Sequence, residues 1–423
     1  MKNRILILII FVFLSTGHLF SQENTDEDFE GGSPYTIFGI GDIIYNTSAR
    51  TNGMGILGIG LTGDYINNLN PAANNKLEFT KFALTIDYGY LQSSNGTQTS
   101  KVNQGNVNGL NIGIPFNRDN GWVFNFGINP VSNISYKIIA NRESSGDRYT
   151  NTYEGEGGLT KINLGMTYRL FNALSLGFVY NYGFGNIITQ RTIDFENPAY
   201  FDTYIRRETD FSNSFFNGGA VLSFENLVNQ KSKNLRYLTL GFVYQTGFDL
   251  TSNEESIIKS SIGTDSVITA SGTINIPSAY GFGLSNRFGD RVNVALDAYF
   301  QQWGDYSEFG VTPSNFNTSA RYGAGLELLP SPDRDKSFFE KLTYRAGFFY
   351  DQAYYEVNGE NINTIGFRFG LGIPISDFNS LDLNFNYSIR GKEENGLIKD
   401  QYFGIFAGVN FGELWFLRHD EDF

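Results

Sequence analysis

Eight charged side chains recur on one side of alternating segments in the last third of the chain: Asp297, Arg321, Glu327, Arg345, Asp351, Arg368, Asp382 and Arg390. A guanidinium is a planar fork that grips a carboxylate through two parallel hydrogen bonds. Arginines interleaved with acids on successive strands therefore have two readings. One or more of Arg321, Arg345, Arg368 and Arg390 binds the carboxylate headgroup of a ligand. Alternatively the arginines pair with acids such as Asp297 and Asp382 and with whatever else fills the same interior.

Catalysis has little to work with. Hydrolytic sites generally rely on a histidine as general base, and the chain has two, His18 and His419. The first sits in an apparent export signal and the second follows the last alternating segment, so no Ser-His or Asp-His pair can be assembled between them. Asp333 and Asp335 read as a solvated turn. Asp194, Glu196 and Asp202 lack the spacing of a calcium loop. There is no cysteine, hence no disulfide, thiolate metal site or lipid-attachment residue. The chain is not expected to be an enzyme or to carry a cofactor or metal.

The elements that hold these residues alternate with period two. "LDLNFNYSIRG" places Leu381, Leu383, Phe385, Tyr387 and Ile389 on one face and Asp382, Asn384, Asn386, Ser388 and Arg390 on the other. "IGFRFGLGI" from Ile365 and "FALTIDYGY" from Phe82 repeat the pattern. Such segments run about ten residues, the length of a tilted membrane strand and longer than the usual strand of a soluble sheet. Tyr, Trp and Phe crowd their ends, as interfacial girdles require. With 25 Tyr, 39 Phe and 48 Gly, the composition fits a barrel whose apolar face meets lipid.

The compartment agrees. Lys2 and Arg4 precede an apolar run from Ile5 to Leu14, followed by small polar residues. This is the order of a secretory signal peptide with cleavage near Ser21 or Gln22, and the run is too short to span a bilayer. A net charge of −13 argues against nucleic acid as a partner.

Six short turns fall at Phe116–Gly121, Arg169–Leu174, Glu225–Arg236, Asn286–Arg291, Pro330–Lys341 and Ile375–Ser380, and longer polar loops are expected near Tyr136–Glu156, Gln190–Asn213 and Thr251–Asn275. Two strands for each turn, with one before and one after, make fourteen and put both termini in the periplasm. Before them lies "DYINNLNPAANN", preceded by Gly53, Gly55, Gly58, Gly60 and Gly63, which neither alternates nor suits a helix.

That stretch resembles the N-terminal hatch of FadL/TodX-type outer-membrane transporters of long-chain fatty acids and other hydrophobic compounds, whose glycine-rich segment ends in an Asn-Pro-Ala motif matched here by Asn70, Pro71 and Ala72. "NIPSAYGFGLSNRFGDRVNVALDAYFQQWGDYSEF" and "YRAGFFYD" are similar to later parts of the same family, and "GGSPYTIFGIGD" (31–42) departs from it. The resemblance implies an all-β fold, a fourteen-stranded antiparallel transmembrane β-barrel with the hatch in its lumen. The expected parts are signal peptide 1–22, extension and hatch 23–77, barrel 78–412 and periplasmic tail 413–423.

The resemblance also implies a break in the third strand, "WVFNFGINPVSNISY", where Gly127, Asn129 and Pro130 lie. Proline cannot donate to a sheet ladder. The expected function is passive uptake of a hydrophobic small molecule, with lateral exit at that break, in contact with membrane lipid and lipopolysaccharide. The alternative is a non-transporting barrel subunit of an outer-membrane secretion or assembly complex, with other outer-membrane proteins as partners. Its binding surface would be the 31–42 stretch or the acidic tail.

Overall fold

The computed structural model describes residues 31–413, apart from positions 46–47, 145, 172, 226, 228–234, 261–265, 334 and 377. The expected signal peptide and acidic tail, with His18 and His419, lie outside the described residues.

Fourteen antiparallel strands close on themselves. The first six are β1 (Thr80–Ser94), β2 (Thr99–Asn117), β3 (Trp122–Pro130 and Ser132–Ser144), β4 (Asp147–Leu170), β5 (Leu174–Phe195) and β6 (Thr203–Ser223). Next come β7 (Thr239–Gln245 and Phe248–Ser260), β8 (Ser266–Ile276 and Ala279–Phe288), β9 (Val292–Gln301) and β10 (Ser319–Leu328). The last four are β11 (Thr343–Val357), β12 (Glu360–Pro374), β13 (Ser380–Arg390) and β14 (Lys399–Glu413). β14 pairs with β1 from Lys399–Ser94 to Glu413–Thr80, which completes the ring.

The period-two pattern sets the two faces. On β5, Leu176, Phe178, Tyr180, Tyr182 and Phe184 are exposed on the outside, while Ser175, Val179 and Asn181 between them are buried inside. The same outward band continues through Leu240 and Phe242, Phe282 and Leu284, Phe367 and Phe369, and Phe403 and Ile405. An apolar belt of this extent around a closed sheet is a lipid contact, not a water contact. No described helix is long and apolar enough to cross a membrane; the strands make the crossing.

The described strand ends bracket each of the six expected turns. Among the described residues, most of the three expected long loops is paired strand, with a short irregular connection at 196–202. β4, β5 and β6 run for 24, 22 and 21 residues, about twice a membrane span. The β4–β5 ladder is continuous from Leu170–Leu174 to Tyr149–Phe195, and β7 and β8 extend likewise. "DRYTNTYEG" and "TYIRRETDF" are polar because both faces of these extensions leave the membrane. Polar composition reads as loop, whereas backbone pairing keeps it as sheet.

Residues 33–79 lie within the barrel. The segment has two 3-10 turns, Pro34–Ile37 and Pro71–Lys76, and one short helix, Ala49–Gly53. Its Met54, Ile56 and Ile59 are fully buried. It runs so close to the wall that inward positions on the strands must be glycine. A Cβ at Gly347 would collide with the Met54 carbonyl, and one at Gly241 with that of Ile59. Main chain on both sides leaves nothing to swing aside. Gly347→Val is therefore expected to lower barrel stability by about 1–3 kcal/mol and to open residues 50–60 to proteolysis. Both can be read from the heat-dependent shift in gel mobility and from mapped cleavage sites. An unchanged shift and cleavage pattern would mean that the segment is not seated on this wall.

Candidate functional site

The interior is built in three levels, beginning with the seat of the N-terminal segment. Asn70 caps the Pro71–Lys76 turn by accepting from the Ala72 N–H at 3.1 Å and donates to the Ile59 carbonyl at 2.7 Å. Pro71 offers its carbonyl to Thr167 Oγ1 at 2.6 Å, and Ala72 is fully buried. Asn67 and Asn74 bridge the loop between them through side-chain-to-backbone bonds of 2.7 and 3.0 Å. Gly53 packs on Asn384, and Gly55, with φ of +66°, turns against the β11 backbone.

From the wall, Asp297 turns inward and accepts the N–H groups of Leu57, Gly58 and Ile59 at 2.8, 2.6 and 3.4 Å. Three backbone donors on one carboxylate are a strong charge-assisted clamp. Beside it, Glu327 is held by Arg50 of the segment at 2.6 Å and by Arg345 of the wall at 3.0 Å, and Arg345 also grips Asp382 at 2.5 Å. Tyr65, on the segment, donates its hydroxyl to the Leu61 carbonyl at 2.8 Å, and burial pushes its pKa up.

The outermost level is also an ion cluster. Arg390 binds Asp42 at 2.7 Å and Asp400 at 3.0 Å, and Ser33 lies within 2.5 Å of both Arg390 and Asp400. The adjoining aromatic cluster includes Tyr35, Trp303, Phe316, Tyr354 and Tyr355. Much of the 31–42 stretch is thus packed against the barrel, with Ser33, Tyr35, Thr36 and Ile40 buried and Ile37 exposed.

Between these levels lies a cavity of about 330 Å³. Arg321 and Arg368 project into it, each guanidinium over the Phe349 ring at 4.5 and 4.7 Å. Arg321 pairs with Asp351 at 2.7 Å but leaves its Nε and Nη2 unbonded; Arg368 leaves its Nε and Nη1 unbonded. Of the four candidate arginines, Arg345 and Arg390 are fully committed to acids. Arg368 is the one with no ion pair among the described residues.

The third strand behaves differently from its neighbours. β2 and β3 pair from Asn117–Trp122 to Leu110–Ile128 and no further. β2 continues outward with β1 alone, while β3 bends at Val131 and continues with β4 alone among the barrel strands. Outward Ile86, Tyr88 and Tyr90 of β1 stand opposite Val107, Gly105 and Asn103 of β2, so the strands part while the outer face is still apolar. Pro130 is the last residue of the lower part of β3, paired with Thr160 on β4. Gly127 lies below the gap, paired on both sides, where a Cβ would strike the side chains of Asn111 and Asn163.

Asn129 joins those two asparagines through bonds of 2.7 to 3.0 Å, and Asn68 from the segment reaches Asn111 at 2.5 Å. The sequence marked Asn129 but not its partners Asn111 and Asn163. Asparagine on the inward positions of adjacent strands was the available signal.

The freed edge of β3 is not bare. Asp42 and Ile43 pair with Asn133 and Ser132, Ile44 donates to the Val131 carbonyl at 2.8 Å, and Thr36 Oγ1 both donates to and accepts from the Ser135 backbone. Farther out, Gly32 is wedged between the Ser135 carbonyl and Gln104 of β2, and Gly31 between Val102 and Lys137. Below this level the wall has a recess of about 710 Å³ facing outward. Recess and luminal cavity share Ile44, Asn106 and Asn133 as lining.

Fold and belt together define a class, an integral outer-membrane barrel of fourteen antiparallel strands, with the described N-terminal residues packed on its inward positions. Among solved structures, the chain is similar to a FadL homologue of Pseudomonas aeruginosa (13% identity, covering 86% of this chain and 98% of that one, TM-score 0.56). It is also similar to the toluene transporter TbuX of Ralstonia pickettii (14%, 92% and 100%, TM-score 0.54) and to the toluene transporter TodX of Pseudomonas putida (14%, 92% and 99%, TM-score 0.50). At these identities the likeness is one of fold. A search of the curated proteins returned no match. A family model described as BamG matches residues 1–420, and the chain belongs to the BamG family.

The ion cluster at Glu327 yields a stability prediction. Arg345→Met leaves Asp382 with the Asn410 amide but no cation, and Glu327 with Arg50 and the Asn293 amide; breaking a buried pair this way costs about 3–5 kcal/mol. The heat-dependent mobility shift should fall accordingly, with little loss for Lys336→Met, whose contact to Glu340 is 4.0 Å and exposed. Equal behaviour of the two variants would remove Arg345 from the framework.

Proposed function

We propose that this protein is a passive outer-membrane channel for hydrophobic compounds, with the N-terminal segment as its hatch and the β2–β3 gap as a lateral exit into the membrane. The observation that carries this reading is the end of β2–β3 pairing at Leu110–Ile128, inside the apolar band. A closed barrel has no reason to forgo those hydrogen bonds unless something is to pass or bind there. A lateral exit would let an apolar solute enter the bilayer without crossing the polar lumen, after passing an outer leaflet whose lipopolysaccharide resists it. The toluene transporters of like fold support the ligand class. Arg368, with unbonded guanidinium nitrogens beside a cavity, suits the carboxylate of a long-chain fatty acid. Passage requires residues 31–44 to leave the edge of β3.

A second reading is favoured by that same segment. It closes the gap and is tied by Arg390 between Asp42 and Asp400, as befits a sealed barrel serving as a subunit of an outer-membrane secretion or assembly complex.

One preparation separates the two. The protein is purified in mild detergent, and its small molecules and co-purifying proteins are identified by mass spectrometry. A disulfide-tethered form, Gly31→Cys with Lys137→Cys, whose Cβ atoms would stand 3.8 Å apart, is compared with the wild type. A channel is expected to carry bound apolar molecules, and its uptake into cells should stop on tethering and return on reduction. An empty barrel with stoichiometric partner proteins, indifferent to the tether, would overturn transport in favour of the complex.

A further inference from the structure

The outward recess at the mouth of the gap has a lining that apolar transport does not call for. Along β5 the outward series Leu176–Phe184 ends at Phe184, and the next outward residue is Asn186. Asn186 stands opposite Asp210 of β6, Asp210 opposite Asn253 of β7, and Ser212 opposite Thr251. All of these line the recess together with Phe184. Short hydrogen-bonding side chains on three adjacent strands thus form one polar patch directly above the lipid belt, at the depth of headgroups. The wall is concave here because β3 bends at Val131 and because Gly185 lies against the Gly158 carbonyl, Gly157 against that of Asn186 and Gly158 against that of Ser132.

We propose that this recess binds the neutral, hydroxyl-rich sugar headgroup of a glycolipid in the outer leaflet. Chemistry selects that class by exclusion and by fit. No Lys or Arg lines the recess and its one charge is Asp210, so a phosphate or carboxylate headgroup meets repulsion and no counter-ion. A hydrocarbon chain would leave the polar side chains without partners in a desolvated site. A sugar hydroxyl both donates and accepts, which matches amides that do the same and a carboxylate that accepts from two hydroxyls at once. Phe184 at the lower rim offers an apolar face to the C–H side of a sugar ring. The inference goes beyond the channel reading, because the recess faces lipid and binds whether or not anything crosses the gap.

The test uses the full chain in a polyoxyethylene detergent, which has no sugar, with three probes of equal tail length: n-octyl-β-glucoside, octanoate and n-octanol. Binding is followed by saturation-transfer NMR and by titration below each probe's micelle concentration. Octyl glucoside is expected to bind in preference to both others. Asp210→Ala with Asn253→Ala should weaken it about tenfold, the scale of two net hydrogen bonds. Asp210→Lys should shift preference toward octanoate. Retained heat-dependent mobility shows that the variants are folded; if a recess variant is not, the ranking of probes by the Arg368→Ala chain, whose luminal cavity has lost its free guanidinium, decides alone. Equal binding of the three probes, a preference for octanoate that Arg368→Ala does not remove, or a folded double variant that binds the glucoside undiminished would overturn the proposal.

Discussion

A polypeptide backbone enclosed by a barrel must find a partner for its N–H and C=O groups without the help of a sheet of its own. The rest of this structure follows from meeting that requirement along residues 33–79. Inward asparagines, Asp297 and the hydroxyls of Thr167 and Thr239 supply side-chain partners, the last bonding the Gly60 carbonyl. Inward glycines supply the space. The wall and the segment are complementary because the same strand positions that would otherwise point bulk into the lumen either donate, accept or vanish.

Charge is handled by the same economy of space. Taking an arginine into a narrow lumen is costly unless acids and hydrogen bonds surround it, and here Glu327, Asp382, Asp42 and Asp400 do so for Arg50, Arg345 and Arg390. These pairs join sequence-distant parts, so the ladder of arginines is chiefly a fastening between segment and wall. Arg321 and Arg368 differ because a cavity, not an acid, faces part of each fork. Stacking on Phe349 partly offsets their desolvation, and it leaves donors for a ligand.

At the parting of β2 and β3, two neighbouring strands cease to pair and do not resume, although both run on. Pro130 removes a donor there, Val131 turns the chain, and β3 regains backbone partners from residues 36 and 42–44 of its own N-terminal segment. A wall completed by a non-wall segment can open without unfolding a strand. That property suits a channel, and it equally suits a barrel sealed for another purpose, since both depend on how firmly the Arg390 cluster holds.

Much of this was legible in the chain itself. Strand number, the apolar and polar faces and the six turns follow from a local period of two, which needs no knowledge of distant residues. The irregular, Asn- and Gly-rich 50–75 stretch was recognisable as neither helix nor strand. Asn111 and Asn163, the partners of Asn129, escaped notice because a single asparagine on a strand looks like any polar inward residue. The sheet extensions beyond the membrane escaped because they lose the alternation that lipid imposes. Which arginine meets which acid, and that residues 31–44 close the gap, could come only from the tertiary structure. Arg50 and Glu327 are 277 positions apart, and only the closure and stagger of the barrel bring such residues within bonding distance.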